Sequence, residues 1–227
     1  MSFSYRYRMR IAMAEPGRPK VRTRGPRTVE RIVEAAHRLF LSRGFAETTM
    51  EAIAQEAGVS KATLYAHYGS RDELFTAVIW SAGDRFSSGL VSGLTGAADL
   101  RSKMERLAGA VLDLLLSPDV VATNRIVAAE ARRFPELGKL FYENGPDRLM
   151  ARLAEVFETA MAAGSLRRSA PRDVAKHFIG LIRGDLQLRA MLGDESALSA
   201  TERNRAIATG VGVFLAAYAP AEPFRES

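Results

Sequence analysis

The chain has 227 residues, 47% of them hydrophobic and 26% charged, with a net charge of +6 and no cysteine. That balance excludes wholesale disorder, collagen-like repeats and a disulfide-stapled mini-scaffold, and the missing thiols exclude cysteine nucleophiles and thiolate metal sites. No stretch approaches ~18 uninterrupted apolar residues, and residues 2–13 alternate Arg with Tyr and Phe where a signal peptide carries a continuous apolar run; a soluble, cytoplasmic protein with no membrane partner is expected.

The positive charge is not spread evenly. Residues 1–27 carry eight Arg or Lys against the single Glu15, residues 28–71 carry five of each sign, and the remainder is close to neutral. The excess is therefore an N-terminal arm. Residues 1–12 also admit a blander reading, a solubilising leader or an over-called start, with Met9 and Met13 as alternative starts. In residues 17–27, GRPKVRTRGPR, Gly and Pro forbid helix and the basic residues are spaced to follow phosphates, with Arg18 the candidate for minor-groove entry.

From Thr28 onward apolar residues recur with a helical period, which predicts an all-α protein. Ile32, Val33, Ala36, Leu39 and Phe40 form one face of a first helix that stops at Gly44. Thr48 to Glu51 has the spacing of a capping box for a short second helix, Ser60 caps a third, and Ser70 to Glu73 opens a fourth that runs past Trp80 and Phe86. Further helices are expected over 99–116, 118–133, a short one from Pro135, 146–163, 171–192 and 199–219. The predicted organisation is a flexible basic arm (1–27), a three-helix domain (28–70), a larger helical domain (71–219) and a short tail (220–227).

Residues 48–68, TTMEAIAQEAGVSKATLYAHY, form the most specific constellation. Ile53 and Ala57 face inward, Ala54 is small where a second helix crosses, and Gly58 supplies the positive φ of a three-residue turn. Val59 and Leu64 plug the angle between the two helices. This is helix-turn-helix packing, with the second helix placed for a DNA major groove. It leaves Lys61, Ala62, Thr63, Tyr65, His67 and Tyr68 mostly outside the core, a hydroxyl-rich, aromatic and basic surface suited to phosphates and base edges.

The stretch from Val29 to Ile79 resembles the N-terminal domain of the TetR family of transcriptional regulators, through Gly44-Phe45, Thr48-Thr49, Ile53-Ala54, Ala57-Gly58-Val59-Ser60, Thr63-Leu64-Tyr65, His67-Tyr68 and Leu74-Phe75. The resemblance implies that Thr49, Thr63, Tyr65, His67 and Arg71 contact the DNA backbone while Lys61 and Ala62 approach bases. The segment from Asn124 to Gly193 is similar to the C-terminal domain of AefR-like members, which implies a helical effector and dimerisation domain.

Expected partners are double-stranded operator DNA, a second copy of the chain and a small apolar or amphipathic effector. The dimer is expected to form through the two last helices, with Gly180, Gly184, Gly210 and Gly212 permitting close approach. Candidate effector-binding residues are Trp80, Phe86, Met104, Phe141, Met150, Phe157 and Phe178, with Arg125, Tyr142 and Arg183 as polar anchors. For Arg183 and Asp185 the simpler reading, an ion pair at a subunit interface or on a solvated edge, is preferred to a ligand anchor. His37, His67 and His177 lie far apart without local acidic partners, and neither G-x-S-x-G nor a phosphate-binding loop is present, so no enzyme activity, cofactor or metal is expected. The predicted function is a ligand-responsive regulator, a repressor released from its operator by an apolar effector; a DNA-binding architectural or protein-controlled regulator is the alternative.

Overall fold

A computed structural model describes residues 26–81 and 99–220, all of whose regular structure is helical. The helices are α1 (Pro26–Arg43), α2 (Met50–Ala57), α3 (Lys61–His67), α4 (71–81), α5 (Leu100–Leu115), α6 (Pro118–Glu130), α7 (Pro135–Asn144), α8 (Pro146–Ala162), α9 (Pro171–Arg183), α10 (Leu186–Met191) and α11 (Ala200–Tyr218), with a 3₁₀ turn at Glu195–Leu198. Packing divides the described residues into an N-terminal unit, made of α1–α4 and Ile126–Phe141, and a C-terminal unit made of the rest. The sequence reading ended the DNA-binding domain at residue 70. By packing, α4 and Ile126–Phe141 group with α1–α3, because Leu74, Phe75, Val78, Ile79, Val127 and Leu137 share their apolar core.

In the N-terminal unit the inward stripe of α1, with Ile32, Ala36, Leu39 and Phe40, meets Ile53, Ala54 and Ala57 of α2 and Leu64 of α3. Phe40, Phe45 and Phe75 form a triangle of rings with centroids 5.4–5.6 Å apart, within the range where edge-to-face and offset contacts are favourable. Gly58 ends α2 at φ 62°, ψ 41°, and its amide donates to the carbonyls of Ala54 and Gln55. Arg31 from α1 donates to the carbonyls of Ala57 and Gly58, tying that turn to the first helix.

The C-terminal unit is built on α5, α8, α9 and α11. Met104, Leu107, Val111, Leu153, Phe157, Phe178, Ile182, Val211 and Phe214 form its main core, in which the rings of Phe157, Phe178 and Phe214 lie 5.0–5.4 Å apart. Leu112, Leu116, Val121, Leu186, Ala190 and Ala197 make a smaller cluster beside α10. The Cα of Gly210 sits where α11 presses on α9: a methyl group there would lie 2.9 Å from the Leu181 carbonyl oxygen. Gly210 thus serves close helix packing within the chain.

Two helix expectations need correction. The helix over 171–192 is two helices, because Gly184 takes φ 47°, ψ −128°, which ends α9. The helix expected to reach residue 133 ends at Glu130, whose carbonyl accepts the amides of Arg133 and Phe134 in a turn.

Candidate DNA-binding site

The site is carried by α2, the Gly58 turn and α3. Thr49, not Thr48, caps α2, its hydroxyl accepting the Ala52 amide at 3.1 Å. Thr48 is buried, and its hydroxyl donates to the carbonyls of Gly44 (2.7 Å) and Leu39 (3.2 Å). The capping-box spacing was therefore read one residue early: the second threonine lies in the extended conformation that a cap requires. Ser60 caps α3, accepting the Thr63 amide at 3.1 Å and sharing a 2.9 Å hydrogen bond with the Thr63 hydroxyl.

With Leu64 fully buried, the outward face of α3 consists of Lys61, Ala62, Tyr65 and Ala66, with Thr63 half-buried at its edge. Tyr65 is 49% exposed, a large apolar ring with a free-facing hydroxyl of the kind that lies along a nucleic-acid backbone. Ala66 is the member of this face that sequence reasoning left out; its place one turn after Ala62 was the available signal. Lys61 pairs with Glu51 of α2 at 3.1 Å. The Glu51 carboxyl is held below the usual range, first by a hydrogen bond from its own backbone amide and then by Lys61.

Three residues expected on the DNA side are placed elsewhere. His67 is 7% exposed, its Nδ1 buried without a hydrogen-bond partner, and Tyr68 is buried too. The reason is periodicity: positions three and four after Leu64 return to its inner face. Arg71 points back onto the loop before α2. Its guanidinium donates to the carbonyls of Ala46 (2.9 Å) and Thr48 (3.1 Å) and lies 4.1 Å from the Phe45 ring centroid. Arg18 lies outside the described residues.

The effector candidates are scattered. Met104, Phe157 and Phe178 are fully buried core of the C-terminal unit and Met150 packs against them, whereas Phe141 packs in the N-terminal unit, where Trp80 is buried in α4. Arg125 donates to the carbonyls of Ala190 (2.6 Å) and Met191 (2.7 Å), so it staples α6 to α10. Tyr142 is 60% exposed, and Arg183 and Asp185 are exposed at the end of α9, as expected of a solvated edge. Phe86 lies outside the described residues. An open groove of about 770 Å³ runs between α5 and α11, lined by Ser102, Arg106, Asp113, Arg203, Asn204 and Ile207 among others, and by none of the candidates. His177 is hydrogen-bonded to the Tyr218 hydroxyl. No group of three or more metal-ligating side chains occurs among the described residues, and no single helix there is long and apolar enough to cross a membrane.

Residues 32–78 match the model for bacterial regulatory proteins of the tetR family, and residues 102–220 match that for the C-terminal domain of AefR-like transcriptional repressors. The chain belongs to the TetR family. It is a ligand-responsive, DNA-binding transcriptional regulator, and its relatives are regulators rather than enzymes. This TetR-family member is 36% identical to the solved structure of a flavonoid-responsive regulator, FrrA, covering 87% of this chain and all of that one with a TM-score of 0.70. It is 30% identical to a putative TetR-family regulator of Mesorhizobium loti, with the same coverage and a TM-score of 0.75. An HTH-type transcriptional repressor of Mycobacterium tuberculosis, Rv1474c, is 23% identical over 72% of this chain and 82% of its own length.

Proposed function

We propose that the protein is a cytoplasmic homodimeric repressor that lets go of its operator when a small apolar or amphipathic molecule binds its C-terminal domain. The observation that carries the DNA half is the outward face of α3: Lys61, Ala62, Tyr65 and Ala66 on a two-turn helix capped by Ser60 and locked by Leu64. Lys61 and Ala62 are assigned to base edges and Thr49, Thr63 and Tyr65 to phosphates. Support for the dimer comes from the outer sides of α9 and α11. Gly180 and Gly212 there have open space around Cα, and Val213, Ala216 and Ala217 are exposed and uncharged. Two such helix pairs would pack as a four-helix bundle.

For the effector, the flavonoid response named for the regulator 36% identical over its whole length makes aromatic polyphenols the first class to try, with lipophilic acids second. A full switch from mainly bound to mainly released needs a preference of ~5.5 kcal/mol for the non-binding state.

The test begins with an operator selected by the protein from a random duplex pool. Lys61→Ala and Tyr65→Ala should each weaken binding by ~1–3 kcal/mol while the urea midpoint stays put. Unchanged titrations for both variants would remove α3 from the interface. Light scattering should give a dimer at micromolar concentration, and a flavonoid panel should contain compounds that release the duplex.

A further inference from the structure

The loop between α1 and α2 is held from two sides by charged groups that the DNA-contact face does not use. Its amides at Phe45 and Ala46 donate, one each and both at 3.0 Å, to the two carboxylate oxygens of Glu130. Its carbonyls at Ala46 and Thr48 accept from Arg71. Gly44 at the head of the loop has φ 81°, and a methyl group on it would stand 2.5 Å from a Glu130 carboxylate oxygen. The loop leads directly into Thr49, the cap of α2.

Glu130 stands in an electrostatically poor place. It is the last residue of α6, where the partial negative charge of the helix end disfavours a carboxylate. Its negative charge also lies within the unit that must approach a polyanion. What offsets both costs is the pair of amides. Two charge-assisted hydrogen bonds to adjacent N–H groups fix the plane of a loop segment more firmly than neutral contacts do. From the DNA-binding reading above, on which this rests, we infer that Glu130 is a positioning residue for operator recognition: its carboxylate holds the α1–α2 loop in the pose that presents Thr49 and α2 to the duplex. Glu130 does so from a helix whose first eight residues belong to the C-terminal unit.

The charge makes the inference testable by sign. Glu130→Gln removes a negative charge, so electrostatics alone predicts equal or tighter DNA binding. The amide side chain, however, accepts from only one of the two N–H groups and turns its own NH₂ toward the other. The Kd of full-length wild type and E130Q would be measured by fluorescence anisotropy on the selected operator and on a scrambled duplex, together with hydrogen exchange over residues 44–49. The expected result is an operator Kd raised about tenfold or more, a scrambled-duplex Kd unchanged or lowered, and faster exchange at Phe45 and Ala46. An operator Kd that stays equal or falls overturns the inference, and so does a parallel loss on both duplexes, which marks a purely structural residue. Should E130Q unfold at the assay temperature, Glu130→Asp keeps the charge but shortens the reach and carries the same readouts. If wild type selects no duplex, it is the DNA-binding reading that fails; if wild type is selective and the variants match it, only the clamp fails.

Discussion

The two units differ in where they place their directional polar contacts. In the N-terminal unit polar groups are spent on backbone: Thr48, Thr49, Ser60, Arg31, Arg71 and Glu130 each satisfy specific amides or carbonyls of the helix ends and loops. In the C-terminal unit the main core is aromatic and aliphatic, and the charged residues staple its periphery, as Arg125 does on α10 and Arg203 does on Asp113. A recognition surface must have one geometry, and directional hydrogen bonds supply it. A core that presents no surface of its own relies on packing, which specifies volume more than direction.

The contrast is broken most severely by emptying the C-terminal core. Phe157 is fully buried, with its ring 5.2 Å from Phe178 and 5.4 Å from Phe214. Phe157→Ala should cost ~3–5 kcal/mol, read from urea unfolding of the full-length protein. A cost well under 1 kcal/mol would mean that the residue lines open space, and would restore it as an effector contact. Next comes Arg71→Ala in the other unit, which removes two hydrogen bonds and the stacking on Phe45 for a loss of ~2 kcal/mol. Were Arg71 a phosphate contact instead, stability would hold and the salt dependence of DNA binding would shallow by ~0.9 log units.

How much was legible follows the same division. The helix-turn-helix could be read because its constraints are local: Gly58 must take positive φ, Ser60 must cap, and Leu64 must point inward. What escaped was the inner face after Leu64. His67 and Tyr68 look like surface residues by type, and only the helical period returns them to the core. Glu130 was invisible since its partners lie about 85 residues away in the chain. In the C-terminal unit the helix count was nearly readable from Pro and Gly punctuation, although Gly184 hid a break inside an apolar run. Sequence alone could not single out effector residues: a Phe in a pocket wall and a Phe in a core have the same sequence signature, and Met104, Phe157 and Phe178 are buried in the main core.

The smallest effect expected lies at the corner joining α10 to α11, where the C-terminal unit does use directional polar contacts. One Asp194 carboxylate oxygen accepts from the Ser196 amide (3.0 Å) and hydroxyl (2.6 Å), and the other from Arg189 Nε (2.8 Å). Arg189 also reaches Glu202 at 3.0 Å. The Ser196 hydroxyl first, and the Arg189 guanidinium second, hold the Asp194 carboxyl below the ordinary range. A carboxyl whose pKa is lowered by folding stabilises the fold at pH above its unfolded value of ~3.9 and loses that contribution as pH falls through the lower folded value. Wild type should therefore be more stable than Asp194→Asn at pH 6, and the gap in urea midpoint should narrow by pH 3.5 and narrow further by pH 3. The corner is solvent-exposed, so screening keeps the gap small. A gap that stays constant across this range would show that the ionised carboxylate contributes nothing and that the asparagine merely packs less well. A narrowing gap would show that the C-terminal unit, like the N-terminal one, fixes its turns with directional charge.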